Sequence, residues 1–437
     1  MAEDDLRDPR TLPHYILATL AGEQPEGGFN EELHTQNRIF WNNWAVQNLK
    51  KSQLNTLIEA SIINPIDISK KTLDQIQGLA RARGLKDIPS PSEPIDFSYT
   101  KWKFDAQFNK FFFPNISIFS HSKFEEHVFF KETHFISLLS ISDTVFNKDA
   151  DFSYSQLNGL PHMLNIIFCG RAIFFYAHFK SAVLLDHSNF ISDALFERAT
   201  FDSYASLNYV SVNGHANFRN TRFKGPVEFR NSLFRHKVIF SNAKFSESVR
   251  FDEAHFEKHP PDLSSATLHE DTQFHSVTWP KMVHRESCNA QYHSDLYSHL
   301  KRKMEALKRH EAELFFFAKE LEALRHCPPR GRAWLISLYG AVSDYGRSVW
   351  RPLATGAAVW YSGAIGYRLL TDWEAGKAVG FSAASLGGVL GARRETFPGV
   401  MAAADWPVAL LATGQSILGA VLIFLIGLAL RNRFRIR

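Results

Sequence analysis

The chain has 437 residues, and its 49 Lys and Arg residues against 45 Asp and Glu residues give a formal net charge of +4. That length allows two or three structural units at roughly 100–200 residues per domain. The near balance of charge gives no overall argument for nucleic-acid binding. The composition is unusual in its 38 Phe residues, far above ordinary globular usage. They concentrate between residues 97 and 256, which indicates a repeat.

The cysteines and the first residues of the chain indicate the cellular compartment. Cys169, Cys288 and Cys327 are widely separated, with no CxxC pair and no zinc-type spacing. This favours unpaired thiols in a reducing compartment. The acidic opening stretch MAEDDLRDPRTLPHY lacks an apolar segment, so we expect no signal peptide.

Residues 1–94 are predicted to form a helical region followed by a linker. The stretch 37–62 carries spaced apolar residues such as Trp41 and Trp44, and 71–84 is amphipathic and ends at Gly84. The run SPSEP at 90–94 is typical of a linker. Two interpretations stay open: a cap over the domain that follows, and an independent binding module. The cap is favoured because an open end of a β-structure must be covered.

An 11-residue periodicity runs through residues 97–256. Apolar residues recur at alternating steps of five and six, all 30 such positions are apolar, and 23 are Phe. Two residues before each position, Ala, Ser, Thr or Val stands in 25 of 30 cases. The ten residues taken as the clearest core positions are Phe196, Phe201, Phe218, Phe223, Phe229, Phe234, Phe240, Phe245, Phe251 and Phe256.

The repeat favours short strands over a coiled coil. An 11-residue period can indicate a right-handed coiled coil, but at about 100° per residue the two Phe positions stand roughly 140° apart and form no single stripe. In an extended chain residues i and i−2 point the same way. Each small–x–Phe triplet is therefore predicted to be one short strand facing inward.

The small–x–Phe–x–x pattern resembles the pentapeptide-repeat family. That resemblance implies a right-handed, four-sided parallel β-helix over about 95–280, with the Phe and the small residue filling the interior. Because every second unit has one extra residue, we expect about 22 residues per coil and seven coils, a rod of about 35 Å at ~4.8 Å per strand. We expect a bulge or widened corner at 157–169, where Pro161 occupies a small-residue position. The register slips after Phe256 and recovers through Leu263, Leu268, Phe274 and Trp279, as in an atypical terminal coil.

The predicted rod offers little for catalysis, metal or nucleic acid. Some pentapeptide-repeat proteins resemble DNA in shape and acidity, but residues 96–280 carry 20 acidic and 18 basic residues, too balanced for that role or for a basic nucleic-acid stripe. No catalytic motif stands out, and the pairs Asp149–Asp151 and Asp252–Glu253 are typical of solvated corners. We therefore predict no enzyme, no cofactor and no metal, and surface positions for the histidines His127, His134, His178, His215 and His255.

Residues 281–350 are predicted to be an amphipathic helical connector. Within 289–326 apolar residues recur at heptad-like spacing. Packing onto the last coil and self-association remain equally open, so a homo-oligomer formed through 289–326 and the membrane helices is one of the expectations.

Residues 351–437 are predicted to be a two-helix transmembrane hairpin. The stretch 407–430 has no charge and suffices to cross a bilayer, which takes ~20 apolar residues; 353–371 is a weaker candidate that contains Arg368. The intervening 372–406 has three basic and four acidic residues. The positive-inside rule then places both termini in the cytoplasm, at a bacterial inner membrane. The basic residues that set this topology are Arg347, Arg351, Arg431, Arg433, Arg435 and Arg437.

The hairpin resembles the two-helix pore domain of ion channels. A potassium filter carries a TVGYG-type run just before the second helix, whereas Val379-Gly380-Phe381 lies too early in the loop. Two functions follow as hypotheses: a membrane-anchored scaffold or recognition rod with a protein partner, and a sensor that gates an oligomeric pore. The anchor is favoured because a pore needs polar lining, which Gln415 and Ser416 supply sparingly.

Overall fold

The computed structural model describes residues 6–50, 54–55, 57–58, 70–281, 287–327, 330–401 and 404–434. It divides into two compact units, Met1–Lys281 and Met282–Arg437. The first holds the repeat, and the second holds the predicted connector and membrane segment.

The repeat folds into a parallel β-solenoid of about seven turns, which confirms the predicted fold at this level. Its two-residue strands pair with strands 22 residues away, as Val145 and Phe146 do with Lys123 and Phe124. This register gives 22 residues per coil, as predicted. The first stack contains β1 Ile95–Asp96, β5 Ser117–Ile118, β9 Leu139–Ser140, β16 Val183–Leu184, β20 Ala205–Ser206, β24 Val227–Glu228 and β28 Val249–Arg250. The second contains β2 Lys101–Trp102, β6 Lys123–Phe124, β10 Val145–Phe146, β13 Ile167–Phe168, β17 Asn189–Phe190, β21 Ser211–Val212, β25 Leu233–Phe234 and β29 His255–Phe256.

Two further stacks complete the solenoid. The third contains β3 Ala106–Gln107, β7 Val128–Phe129, β11 Ala150–Asp151, β14 Ala172–Ile173, β18 Ala194–Leu195, β22 Ala216–Asn217 and β26 Val238–Ile239. The fourth contains β4 Phe112–Phe113, β8 His134–Phe135, β12 Gln156–Leu157, β15 His178–Phe179, β19 Thr200–Phe201, β23 Arg222–Phe223 and β27 Lys244–Phe245. On all four stacks a small residue and the large apolar residue two positions later both face the interior. Side chains two positions apart on a strand point to the same face, because successive side chains point to opposite faces.

The corners explain why Ser and Thr occur among the small residues two positions before the rings. Each five-residue step turns through a residue with positive φ, such as Tyr99 at 56° and Tyr154 at 58°. A hydroxyl near the turn then bonds the preceding coil: Thr133 Oγ1 donates to the Phe108 carbonyl at 2.7 Å, and Thr221 Oγ1 to the Phe196 carbonyl at 2.8 Å. Because these hydroxyls are buried, their hydrogen bonds offset the cost of removing them from water.

The expected bulge at 157–169 does not form. His162 bridges both Ser140 and Leu184, so the 22-residue spacing continues through this coil. In this coil the first stack has a single bridge residue, His162, in place of a two-residue strand. The reason is that Pro161 lacks the backbone N–H that the neighbouring strands donate at the equivalent position. The local change is therefore a lost hydrogen bond and not an extra residue.

The terminal coil forms as expected. Ile239 bridges Asp262 and Arg250 bridges Gln273, both 23 residues apart. One extra residue within 257–261 thus shifts the register once. Phe274 then stacks on Phe251 at 5.1 Å and restores the ring column.

The N-terminal region covers the first coil. A 3-10 turn Pro9–Thr11 precedes α1 Pro13–Ala18, α2 Glu31–Ala45 and α3 Lys70–Ala82. Trp41 is fully buried, and its Nε1 donates to the Phe112 carbonyl at 2.8 Å. Phe112 N–H in turn donates to Asn42 Oδ1 at 2.9 Å. These contacts place the helices of 6–50, here called the cap, against the first coil. Part of the predicted helix 37–62 lies outside the described residues.

The second unit is helical. It contains α4 Ser287–Ala306, α5 His310–Leu324, α6 Arg330–Ser343, α7 Trp350–Leu370, α8 Ala375–Leu386, a 3-10 turn Gly388–Leu390, α9 Ala392–Thr396 and α10 Trp406–Phe434. The predicted connector helix over 289–326 is broken between α4 and α5, where Lys308 has a φ of 56°. The two helices pack against each other, and Lys301 Nζ lies 2.6 Å from Glu320 Oε2.

Candidate interaction surface and membrane segment

The ten predicted core rings lie inside the solenoid, each at most 3% exposed. They stack coil upon coil: Phe196 lies 4.7 Å from Phe174 and 5.0 Å from Phe218, with interplanar angles of 3° and 4°. Rings filling the interior in this way leave no cleft there. Chemistry or recognition by the solenoid therefore has to take place on its outer surface or at its ends.

One corner of the outer surface carries exposed aromatic side chains. We define the aromatic corner as Tyr154, Phe175, Tyr176 and Arg198. Tyr154 and Tyr176 stack at 5.0 Å, and the Arg198 guanidinium lies 5.2 Å from the Tyr176 ring centroid while donating a hydrogen bond to its hydroxyl. Tyr and Arg are enriched at protein interfaces, so this corner is a candidate recognition surface. The sequence analysis did not single it out, because the repeat pattern concerns the inward-facing positions and leaves the outward residues unassigned.

The predicted surface histidines do not assemble into a metal site. His178 Nε2 lies 2.8 Å from Asp202 Oδ2, and the ring of His215 lies 5.5 Å from that of His236. His134 lies on the outward side of its strand and is half-buried, and this burial lowers the pKa of its imidazole to about 4. Within the described ranges no group of three or more His, Cys, Asp or Glu residues could hold a metal ion. His127 and His255 belong to no such group either.

In each of the carboxylate pairs singled out in the sequence, one aspartate, Asp149 or Asp252, accepts a backbone hydrogen bond from the next coil. Asp149 accepts from Arg171 Nε at 3.0 Å and Nη2 at 2.7 Å, across adjacent coils. Burial acts to raise the pKa of Asp149, but the hydrogen bonds and charge of Arg171 outweigh it and lower that pKa. An ionised, doubly bonded carboxylate is unsuited to general acid catalysis. The Asp149–Arg171 ion pair therefore links two adjacent coils.

Helix α10, Trp406–Phe434, is long and apolar enough to cross a membrane. Among the described residues it is the one helix that meets both conditions. The weaker predicted span 353–371 coincides with α7, which has the length but falls short in hydropathy.

A buried polar network joins the helices of this segment. Gln415 on α10 is 3% exposed; its Nε2 donates to the Val359 carbonyl of α7 at 3.0 Å and to Ser382 Oγ of α8 at 2.9 Å. Ser416 Oγ donates to the Ser385 carbonyl at 2.8 Å. The side chains of Gln415, Ser382 and Ser416 each have hydrogen-bond partners within the same chain, as an apolar environment requires, whereas the buried Ser385 Oγ has none among the described residues.

The predicted topology-setting arginines lie at the helix ends. Arg347 Nη2 is 3.0 Å from Asp344 Oδ2, and Arg351 Nη1 donates to the Gly340 carbonyl at 2.9 Å. Arg431 and Arg433 occupy the last turn of α10, while Arg435 and Arg437 lie outside the described residues. Cations near a helix C-terminus are stabilised by its dipole.

The comparisons with known proteins address the solenoid. Residues 218–267 match the family model for pentapeptide repeats (9 copies). This stretch is a pentapeptide-repeat segment. No curated protein and no solved structure matches the chain. The 22-residue register of the solenoid begins well before the matched residues, with Ile95 opposite Ser117.

Pentapeptide-repeat solenoids are typically non-enzymatic structural repeat proteins. Combined with the filled interior, the fold indicates a structural or protein-interaction role.

Proposed function

We propose that this protein is a membrane-anchored, non-enzymatic scaffold or recognition protein that holds its pentapeptide-repeat rod on the cytoplasmic side of a bacterial inner membrane. The observation that carries the proposal is α10. Its surface includes Leu410 at 68% and Phe424 at 66% exposed, and an apolar surface of that kind on a long helix requires lipid or a partner. A four-sided, right-handed course of the rod is part of the same proposal, supported by the four stacks of strands.

Deletion of α10 tests the anchor. The full chain should remain in the membrane pellet after alkaline carbonate extraction, whereas a variant lacking 406–434 should be released. A variant lacking α3, residues 70–82, is the control and should remain in the pellet. Release of the full chain by carbonate would refute the anchor.

We further propose that α7 forms a second span, with both termini in the cytoplasm. Support comes from its 21 residues, its hydrogen bonds to α8 and α10, and the basic residues at the hairpin ends. In a variant with Cys169, Cys288 and Cys327 replaced by Ser, Leu390→Cys should react with an impermeant maleimide in intact spheroplasts. Tyr209→Cys, on the solenoid, should react only after permeabilisation. Labelling of Tyr209→Cys without permeabilisation would show that the solenoid lies on the opposite side of the membrane from the one proposed.

A pore remains the second candidate, favoured by the short helix α8. It contacts both α7 and α10, as the connecting helix of a two-helix pore domain does, and its Ser382 and Ser385 supply polar groups to Gln415 and Ser416. A pore requires several copies, which we propose would associate through 289–326 and the membrane helices. Mass in detergent and ion flux in liposomes test this: a monomer, or liposomes without flux at every protein density, would exclude it.

A further inference from the structure

A cavity of about 930 Å³ separates the N-terminal cap from the first coil. Its floor is the chain from Asp105 to Asn109, which contains β3, and its roof includes Gly28, Phe29 and His34. Volumes of about 300–1,000 Å³ are typical of ligand-binding pockets. The cavity lies wholly within the first unit.

The floor exposes an open edge of parallel sheet. In the third stack the backbone N–H groups of each strand donate to the next coil, as Ala106 does to the His127 carbonyl at 2.9 Å and Phe108 to the Phe129 carbonyl at 2.8 Å. The carbonyls of Asp105 and Gln107 are the equivalents of those two acceptors one coil earlier. They therefore face the N-terminal end of the solenoid, and no N–H group of the described cap residues donates to them.

Neighbouring parts of the first coil are closed by the cap. Lys101 N–H donates to the Arg7 carbonyl at 2.9 Å, and Phe112 N–H donates to Asn42 Oδ1 at 2.9 Å. Even the next carbonyl on that side of the chain, that of Asn109, pairs with His34 Nε2 at 3.1 Å. The contrast singles out Asp105 and Gln107 as acceptors that face the cavity.

We propose that this β3 edge binds an extended peptide segment of a partner protein, added as a further parallel strand. Its N–H groups at positions p and p+2 donate to the Asp105 and Gln107 carbonyls, because acceptors two residues apart on a strand face the same side. Addition of a strand to an exposed sheet edge is an established mode of peptide recognition. The inference rests on the proposed recognition role and names the class of its partner, but it does not depend on the membrane anchor.

The walls define the sequence that the peptide should carry. Residue p lies over Ala106 and residue p+2 over Phe108, which are 1% and 2% exposed beneath the cap. A small residue and a large apolar residue therefore continue the inward pattern once the cap side chains over these two positions are displaced. Four carboxylates line the cavity against two cations: Glu23, Glu26, Asp105 and Glu126 against Arg10 and Lys103. A basic residue beside the triplet complements that excess of negative charge.

A probe follows from the protein's own repeat. The peptide GHANFRN copies residues 214–220, in which Ala216 N–H donates to the Lys237 carbonyl at 3.0 Å and Phe218 N–H to the Ile239 carbonyl at 2.7 Å within the same stack. Fluorescently labelled, it should bind the full chain in detergent, as measured by anisotropy. N-methylation of both the Ala and the Phe amides should weaken binding at least about tenfold, since two hydrogen bonds are lost. N-methylation of the intervening Asn amide, which points away from β3, should leave binding nearly unchanged.

Protein variants locate the site. Gly28→Trp places an indole in the cavity roof, where an added Cβ meets only Pro25 at 3.9 Å, and should abolish binding. Gly78→Trp, on the exposed surface of α3, is the matched control and should bind normally. Equal binding of the doubly methylated peptide, or binding by neither peptide, would overturn the proposal. Self-association that Gly28→Trp suppresses would identify a second copy as the occupant and equally overturn it. Carbonate extraction of the same preparation reports the anchor separately, so the two failures are distinguishable.

Discussion

The Tyr367 hydroxyl donates a hydrogen bond to Gln415 Oε1 across 2.8 Å, which joins α7 to α10. The same amide reaches α8 through Ser382. One side chain thus holds three helices at their common contact.

Gln415→Leu should loosen this contact. It leaves the Tyr367 hydroxyl without its acceptor, and interhelical hydrogen bonds in membrane proteins are worth about 0.6–1.7 kcal/mol each. We expect a lower melting temperature in detergent and faster amide exchange across 375–386. Thr413→Val is the control, because the Thr413 hydroxyl bonds only the Ala409 carbonyl of its own helix. Identical exchange in both variants would contradict a structural role for Gln415.

Gly419 marks the closest approach of α10 to α8. A Cβ added there would lie 1.9 Å from the Leu386 carbonyl oxygen, so Gly419→Leu should force the helices apart. We expect aggregation or a clearly lower melting temperature, followed by size-exclusion chromatography of heated samples. Gly427→Leu on the same helix meets nothing within 4 Å and should behave like the unmodified protein. A stable Gly419→Leu variant would mean that these helices do not pack closely.

Phe196→Ala should create a void in the ring column. Phe196 is fully buried between Phe174 and Phe218, and Phe to Ala in a core costs about 3–5 kcal/mol. Unfolding followed by circular dichroism should begin at a markedly lower denaturant concentration. Leu195→Ala removes the adjacent outward side chain and should cost much less. Comparable losses from the two variants would mean that Phe196 is not a core residue.

Acid should destabilise the solenoid through His134. Burial lowers the pKa of His134 to about 4, with a smaller contribution from Lys180, below the ~6.5 of an unfolded chain. The folded state therefore favours the neutral ring, and its stability falls as pH drops from about 6.5 to about 4, by on the order of 2 kcal/mol. His134→Gln should flatten this part of the profile of unfolding free energy against pH. An unchanged slope in the variant would show that other groups cause the acid sensitivity.

The sequence alone determined the ring positions, the coil length and the apolar stretch of α10. Those features are visible because they are periodic or continuous: a strand must place every second side chain inward, and a membrane span needs an unbroken apolar run. The register shift after Phe256 could also be predicted from the sequence, since Phe274 and Trp279 resume the same spacing.

Tertiary structure decided the features that depend on residues distant in the sequence. Tyr154 and Tyr176 stack across two successive coils, and Pro161 keeps its register because the coils on either side hold the adjacent His162. The partners of Gln415 and the open carbonyls of Asp105 and Gln107 follow from the packing of α7, α8 and the cap. No local pattern encodes these contacts, because each is set by the positions of whole elements that the chain places side by side.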